Sequence, residues 1–282
     1  MNRADVVPAE AYFIVSAVFH YLGPAIAVLL FARIEPLGVA WLRIAAAAAV
    51  FWLWRVRRTV WRTLSGDVWR LVAGWAVVLA AMNCCFYLAI DRVPLGTVAA
   101  VEFVPVVVLA ALAVRTARNA LAVVLAVAGV YVLADVRLAG DRLGLICTVL
   151  NAVLFAGYVI LGHRAARQPG LRPIDGLALA MAIATVLALP VGIAQAGPAF
   201  ADIRLLAAAI GVGICSSVIP YVTDQLAMAR LSRSTFALML SLLPATACVI
   251  GAVVLRQIPT PAEVAGVGLV IVAMLIHRER TR

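Results

Sequence analysis

"VPLGTVAAVEFVPVVVL", from Val93 to Leu109, holds a single charge, Glu102, in a stretch that is otherwise apolar apart from Thr97 and interrupted by prolines at 94 and 105. A membrane helix needs roughly 20 consecutive apolar residues, and this segment nearly fills one. An ionisable side chain at the centre of such a helix costs about 2.5 to 3.5 kcal/mol even on insertion scales. The chain carries that cost for a structural or a functional reason, and its surroundings must decide which.

Working outward, similar runs recur along the whole chain. Of its 282 residues, 66% are hydrophobic and 13% charged, with a mean hydropathy of +1.09. Soluble domains average roughly 45 to 50% apolar and 25% charged. The sequence therefore reads as an all-α integral membrane protein with no soluble domain. Ten candidate spans fall near 11–31, 37–54, 71–90, 95–114, 119–134, 143–162, 176–195, 205–229, 234–255 and 262–276. None shows the in/out alternation of barrel strands. The first lacks the basic flank and small-residue cleavage site of a signal peptide, so it counts as a span.

The basic residues are all arginine, and they collect in alternate connections. Arg55, Arg57, Arg58, Arg62 and Arg70 lie on the same side as the clusters at 164–172 and 278–282, whereas Arg33, Arg92, Arg137, Arg142, Arg204 and Arg256 lie opposite. The positive-inside rule then predicts both termini in the cytoplasm. The net charge of +10 is thus a topology signal, and no nucleic-acid partner is expected. "RVRRTVWRTLSGDVWR" (Arg55 to Arg70) reads as an interfacial anchor of arginine and tryptophan. The five cysteines fall inside apolar spans, never at C-x-x-C spacing, and read as small buried hydrophobes rather than metal ligands. Neither a metal nor a cofactor is expected.

The chain also resembles itself after a shift of about 137 residues. "VAGV" at 127–130 recurs at 264–267, "VPLGTVAAVEF" (93–103) lies against "LSRSTFALMLS" (231–241), and Pro36 matches Pro173. "AVF" at 17–19 similarly matches "AVL" at 152–154. This predicts two five-helix units, 1–134 and 143–282. Because five is odd, the second unit starts on the opposite side of the membrane. The result is an inverted repeat around a central cavity, as in many secondary transporters.

"NCCFYLAIDRVPLGTVAAVEF", "PYVTDQLAMARLSRSTFALMLSLLPA" and the spacing in "PLGVAWLR" (Pro36 to Arg43) resemble the EamA branch of the drug/metabolite transporter superfamily. Within it, the resemblance is closest to threonine/homoserine exporters of the bacterial inner membrane. It covers essentially the whole chain and implies ten helices and export of small amino acids or related metabolites, with proton antiport as the expected coupling. Another small metabolite or drug, moved in either direction, is the alternative. Below it stand a non-transporting membrane protein and a membrane enzyme. Against an enzyme, the sequence has neither H-E-x-x-H nor G-x-S-x-G.

Within this frame the intramembrane polar residues become candidates. Glu102 lies seven residues into the fourth span, about 10 Å deep at 1.5 Å per residue. Pro105 cannot donate to the carbonyl of Val101, which leaves a bare acceptor beside the carboxylate. Arg43 lies at a similar depth in the second span and is a natural partner for Glu102. Asp224, on the eighth span, is placed either in the cavity or in a rim pair with Arg230 or Arg233. The repeat offset lays Asn83 on Tyr221 and Tyr87 on Gln225, so these four are expected to share one cavity. His20, Phe155 and Tyr158, on the first spans of the two units, complete the candidate lining for a small-molecule substrate.

Overall fold

The computed structural model describes residues 8–55, 64–113, 116–137, 141–228 and 242–276. Among them every regular element is helical. Helices α1 (Ala9–Leu30), α2 (Pro36–Arg55), α3 (Gly66–Ile90), α4 (Leu95–Ala113), α5 (Ala117–Arg137), α6 (Arg142–Ala166) and α7 (Pro173–Gly192) follow the first seven predicted spans. A five-residue helix α8 (Gly197–Ala201), unmarked in the hydropathy pattern, precedes the eighth span. That span is continuous but not uniform: α9 (Ile203–Gly213) passes through a π-helical turn (Ile214–Val218) into α10 (Ile219–Met228). Helix α11 (Leu243–Leu255) is the described part of the ninth span, whose residues 234–241 lie outside the described residues, and α12 (Pro261–Ile276) is the tenth.

The ends of these helices are written into the sequence. Ser65 accepts from Val68 N, Asp141 from Gly144 N at 3.0 Å and Asp202 from Arg204 N at 2.8 Å, so each caps amides that helix geometry leaves orphaned. Thr260 and Glu263 form a reciprocal capping box ahead of α12: the carboxylate takes Thr260 N at 2.8 Å, and Glu263 N donates to Thr260 Oγ1 at 3.2 Å. Pro36, Pro173 and Pro261 open their helices, where the missing N–H costs nothing.

Among the described residues, six helices are long and apolar enough to cross a membrane, and four shorter apolar stretches accompany them. Large apolar side chains point outward on every side, among them Leu53, Val124, Tyr131, Val186 and Val253. Such a surface requires a lipid environment. The protein is a multi-pass membrane protein. Its interior is built largely from alanine, with Tyr21, Phe51 and Tyr87 as the largest fully buried rings. Small residues let helix backbones approach closely where lipid removes the hydrophobic drive to pack.

The contacts among helices pair the two halves of the chain. Helix α3 packs on α6 and α7, and α1 packs on α10, the π turn and α9. Helix α4 packs on α6, while α1 packs on α11; α2 meets α7, α4 meets α11, and α5 meets α12. At the α5–α12 crossing the two copies of "VAGV" meet. A Cβ added to Gly129 would lie 2.8 Å from the carbonyl oxygen of Gly266, and one added to Gly266 would lie 3.1 Å from that of Gly129.

This contact sets a test. Gly129→Leu and Gly266→Leu should each destabilise the protein by about 1 to 3 kcal/mol, the usual cost of overpacking, and lower the melting temperature in detergent. Gly268→Leu, whose added Cβ meets nothing within 4 Å, should leave it nearly unchanged. Equal melting of all three variants would contradict the close crossing.

Candidate functional site

Helices α2 and α4 carry the two interior charges, and both have their first turns fixed by a glutamine from the other half of the chain. Gln195 Oε1 accepts from Leu37 N at 3.1 Å, and Gln257 Oε1 accepts from Leu95 N at 3.1 Å. Arg43 lies six residues beyond the first of these points and Glu102 seven beyond the second, which sets both about 10 Å along their helices. Glu102 lies within electrostatic reach of Arg43. No ion pair joins them in this conformation, where each finds a different partner.

Arg43 ties three elements together. Its Nη1 donates to Asn83 Oδ1 on α3 at 2.5 Å, its Nη2 donates to the Ser216 carbonyl in the π turn at 3.3 Å, and its guanidinium lies 5.6 Å from the centre of the Tyr87 ring. The Ser216 carbonyl is available because the residue four positions on is Pro220, which has no N–H to give it. Arg43 thus supplies a donor that the helix lacks. Asn83 is oriented for its part by donating to Leu79 O at 2.8 Å. The close approach depends on glycine: a Cβ on Gly213 would sit 2.8 Å from the Arg43 carbonyl oxygen, and one on Gly23 would sit 2.5 Å from Ser216 Cβ.

Glu102 is 5% exposed and accepts from Asn151 Nδ2 on α6 at 3.1 Å. Asn151 was not among the sequence candidates. It stands four and seven residues before Phe155 and Tyr158, so all three occupy one face of α6, and that spacing was the signal available. Phe155 meets Phe103, the neighbour of Glu102, at 5.6 Å between ring centres and stacks with Tyr158 at 6.2 Å; Tyr158 in turn meets Trp75 at 5.7 Å.

Of the other candidates, His20 is partly buried, with its ring edge-to-face on Tyr21 at 5.0 Å. Tyr221 is partly buried and meets Phe51 at 6.1 Å. Asp224 and Gln225 fall within α10, and their side chains lie outside the described residues, as do Arg230 and Arg233. The structure therefore brings Arg43, Asn83 and Tyr87 together and sets Glu102 with Phe155 and Tyr158 through Asn151. A separate cavity of about 300 Å³ opens between the α3–α4 and α11–α12 turns, lined by Asp91, Arg92, Thr97, Gln257 and Glu263 among others, but by neither Arg43 nor Glu102.

Comparison with known proteins places this arrangement. Residues 142–277 match the EamA-like transporter family. The threonine/homoserine exporter RhtA of Escherichia coli K12 is 31% identical over 264 residues, covering 90% of this chain and 85% of the relative. RhtA of Salmonella typhimurium LT2 is 30% identical over the same span. The chain belongs to the EamA-like transporter family. A solved structure, described only as the crystal structure of a protein, shares the fold with a TM-score of 0.62 at 18% identity, covering 95% of this chain and 96% of the other.

For an EamA-like transporter, the unpaired groups in the interior are as informative as the paired ones. Among the described residues, Arg43 Nε, the Tyr21 hydroxyl and Asn151 Oδ1 are buried without a hydrogen-bond partner. Buried polar groups are normally satisfied, and each exception asks for a reason.

Removing Arg43 should expose its role. Arg43→Ala leaves the Asn83 amide oxygen and the Ser216 carbonyl without their donor, at a cost of about 1 to 3 kcal/mol for each group left bare. Arg43→Ala combined with Asn83→Leu should recover part of that loss in thermal melts, because the stranded oxygen is gone. A strictly additive double mutant would mean that Arg43 and Asn83 do not act as a unit.

Proposed function

We propose that this EamA-like transporter exports small amino acids of the threonine or homoserine kind across the bacterial inner membrane in exchange for protons. The observation that carries this reading is the pair of opposite interior charges, Arg43 and Glu102, which sit near each other and are bound to other helices rather than to one another. An amino acid presents a carboxylate and an ammonium a few ångströms apart. A guanidinium with a spare N–H suits the first, and a carboxylate in a low-dielectric site suits the second. The RhtA relatives are threonine/homoserine exporters, which agrees with this chemistry.

The architecture proposed with it is ten spans in two inverted units, 1–134 and 143–282. Its support is the way the helix contacts exchange: α3 with α6 maps onto α10 with α1, α4 with α6 maps onto α11 with α1, and the matched glycines 129 and 266 meet each other. Both termini are placed in the cytoplasm on the arginine distribution. Cysteine introduced at Ser65 should then react with an impermeant maleimide only after the membrane is opened. Labelling from the periplasm of intact cells would invert the topology.

In this mechanism Glu102 holds either a proton or the substrate ammonium, and Arg43 turns to Glu102 in a state where neither is bound. Competition for one carboxylate suffices for antiport. The test is Glu102→Gln in proteoliposomes loaded with threonine or homoserine. Transport driven by a pH gradient should fall at least tenfold, and the exchange that remains at saturating substrate should no longer respond to the gradient. A well-folded variant with unchanged gradient dependence would remove Glu102 from coupling.

A further inference from the structure

We propose that Asn151 completes an ammonium-binding subsite with Glu102 and exchanges its own hydrogen bonds when a proton takes the place of the ammonium. The inference rests on the amino-acid reading above and adds a residue and a mechanism to it. Asn151 is fully buried. Its amide nitrogen is committed to Glu102, while its amide oxygen, bonded to the same carbon, has no partner among the described residues. A fixed N–H donor to a carboxylate beside a bare carbonyl-type oxygen leaves two acceptors side by side.

Two occupants satisfy that arrangement. A primary ammonium has three N–H groups and can donate to Glu102 and to Asn151 Oδ1 together. A water molecule, with two, could bridge the same acceptors, but unlike an ammonium it would leave the buried carboxylate's charge unbalanced. The alternative occupant is a proton. It binds the carboxylate and makes it an acid, whose O–H becomes a donor. Asn151 then turns its amide through half a rotation, so that Oδ1 accepts from Glu102. Nothing is oxidised or reduced, and one unit of positive charge replaces another.

The remaining ionisable neighbours are distributed so that this exchange falls on Glu102. Arg43 of α2 contributes a permanent charge, Tyr21 of α1 feels both Glu102 and Cys248 of α11, and Tyr87 of α3 lies against Arg43. Glu263 of α12 is held in its capping box. Tyr131 of α5 points outward, 70% exposed.

The experiment compares L-homoserine with 4-hydroxybutanoate, which has the same chain without the amino group, by calorimetric binding to the purified full-length protein across a pH series. The wild type should favour homoserine by at least a hundredfold, with affinity lost as pH falls. Asn151→Leu, close in size, should weaken homoserine about ten- to a hundredfold, leave 4-hydroxybutanoate unchanged and shift the pH at which homoserine affinity is half lost. Should that variant fail to fold, Glu102→Gln provides the second arm. Its new amide can donate to Asn151 Oδ1, so the fold should hold while both homoserine preference and pH dependence disappear. Folded variants that keep the wild-type preference would overturn the ammonium subsite and leave the amino-acid reading standing. A wild type that exchanges 4-hydroxybutanoate and ignores homoserine would overturn both.

Discussion

The arrangement of the interior depends on how Arg43 is satisfied without water. A guanidinium has five N–H donors, and hydrocarbon offers no acceptor for any of them. The chain provides acceptors from two other elements, a side-chain oxygen on α3 and a backbone carbonyl in the π turn between α9 and α10. Pro220, four positions past Ser216, has no N–H to offer that carbonyl. Proline, π turn and arginine thus form one device, and the glycines at 23 and 213 are the space it needs. Removing any one leaves the others with polar groups they cannot place.

A direct salt bridge between Arg43 and Glu102 would be the obvious way to neutralise two charges in a membrane, and this conformation does not use it. A buried ion pair gains mutual attraction but seldom recovers the full cost of desolvating both partners. Holding the two charges on separate polar supports keeps each available. The same separation leaves Arg43 Nε and Asn151 Oδ1 without a hydrogen-bond partner among the described residues.

Much of this was legible in the sequence because the bilayer imposes a length and a polarity on each span. The helix positions followed from apolar runs, and the exceptional status of Arg43 and Glu102 from their cost in lipid. What resisted was the pairing. Both residues sit at matching depth, and depth says nothing about which neighbouring helix a side chain turns to. Asn151 was overlooked because a single amide among alanine and leucine is cheap enough to be structural. Its spacing to Phe155 and Tyr158 was visible, but its partner on α4 was not. The π turn was hidden for a similar reason. The residue that makes its free carbonyl tolerable lies 173 positions away in the chain.

Arg43 and Glu102 both belong to the first half of the chain, and the proposed repeat alignment places Ala180 opposite Arg43 and Leu240 opposite Glu102. Their supports come from the second half in each case, Ser216 for Arg43 and Asn151 for Glu102. Any rocking of one half against the other therefore strains both bonds together, and each bond lost leaves a charge less well solvated. Arg43 is also held within its own half by Asn83, so the bonds from Ser216 and Asn151 are the ones that tie these two charged residues to the other half of the chain.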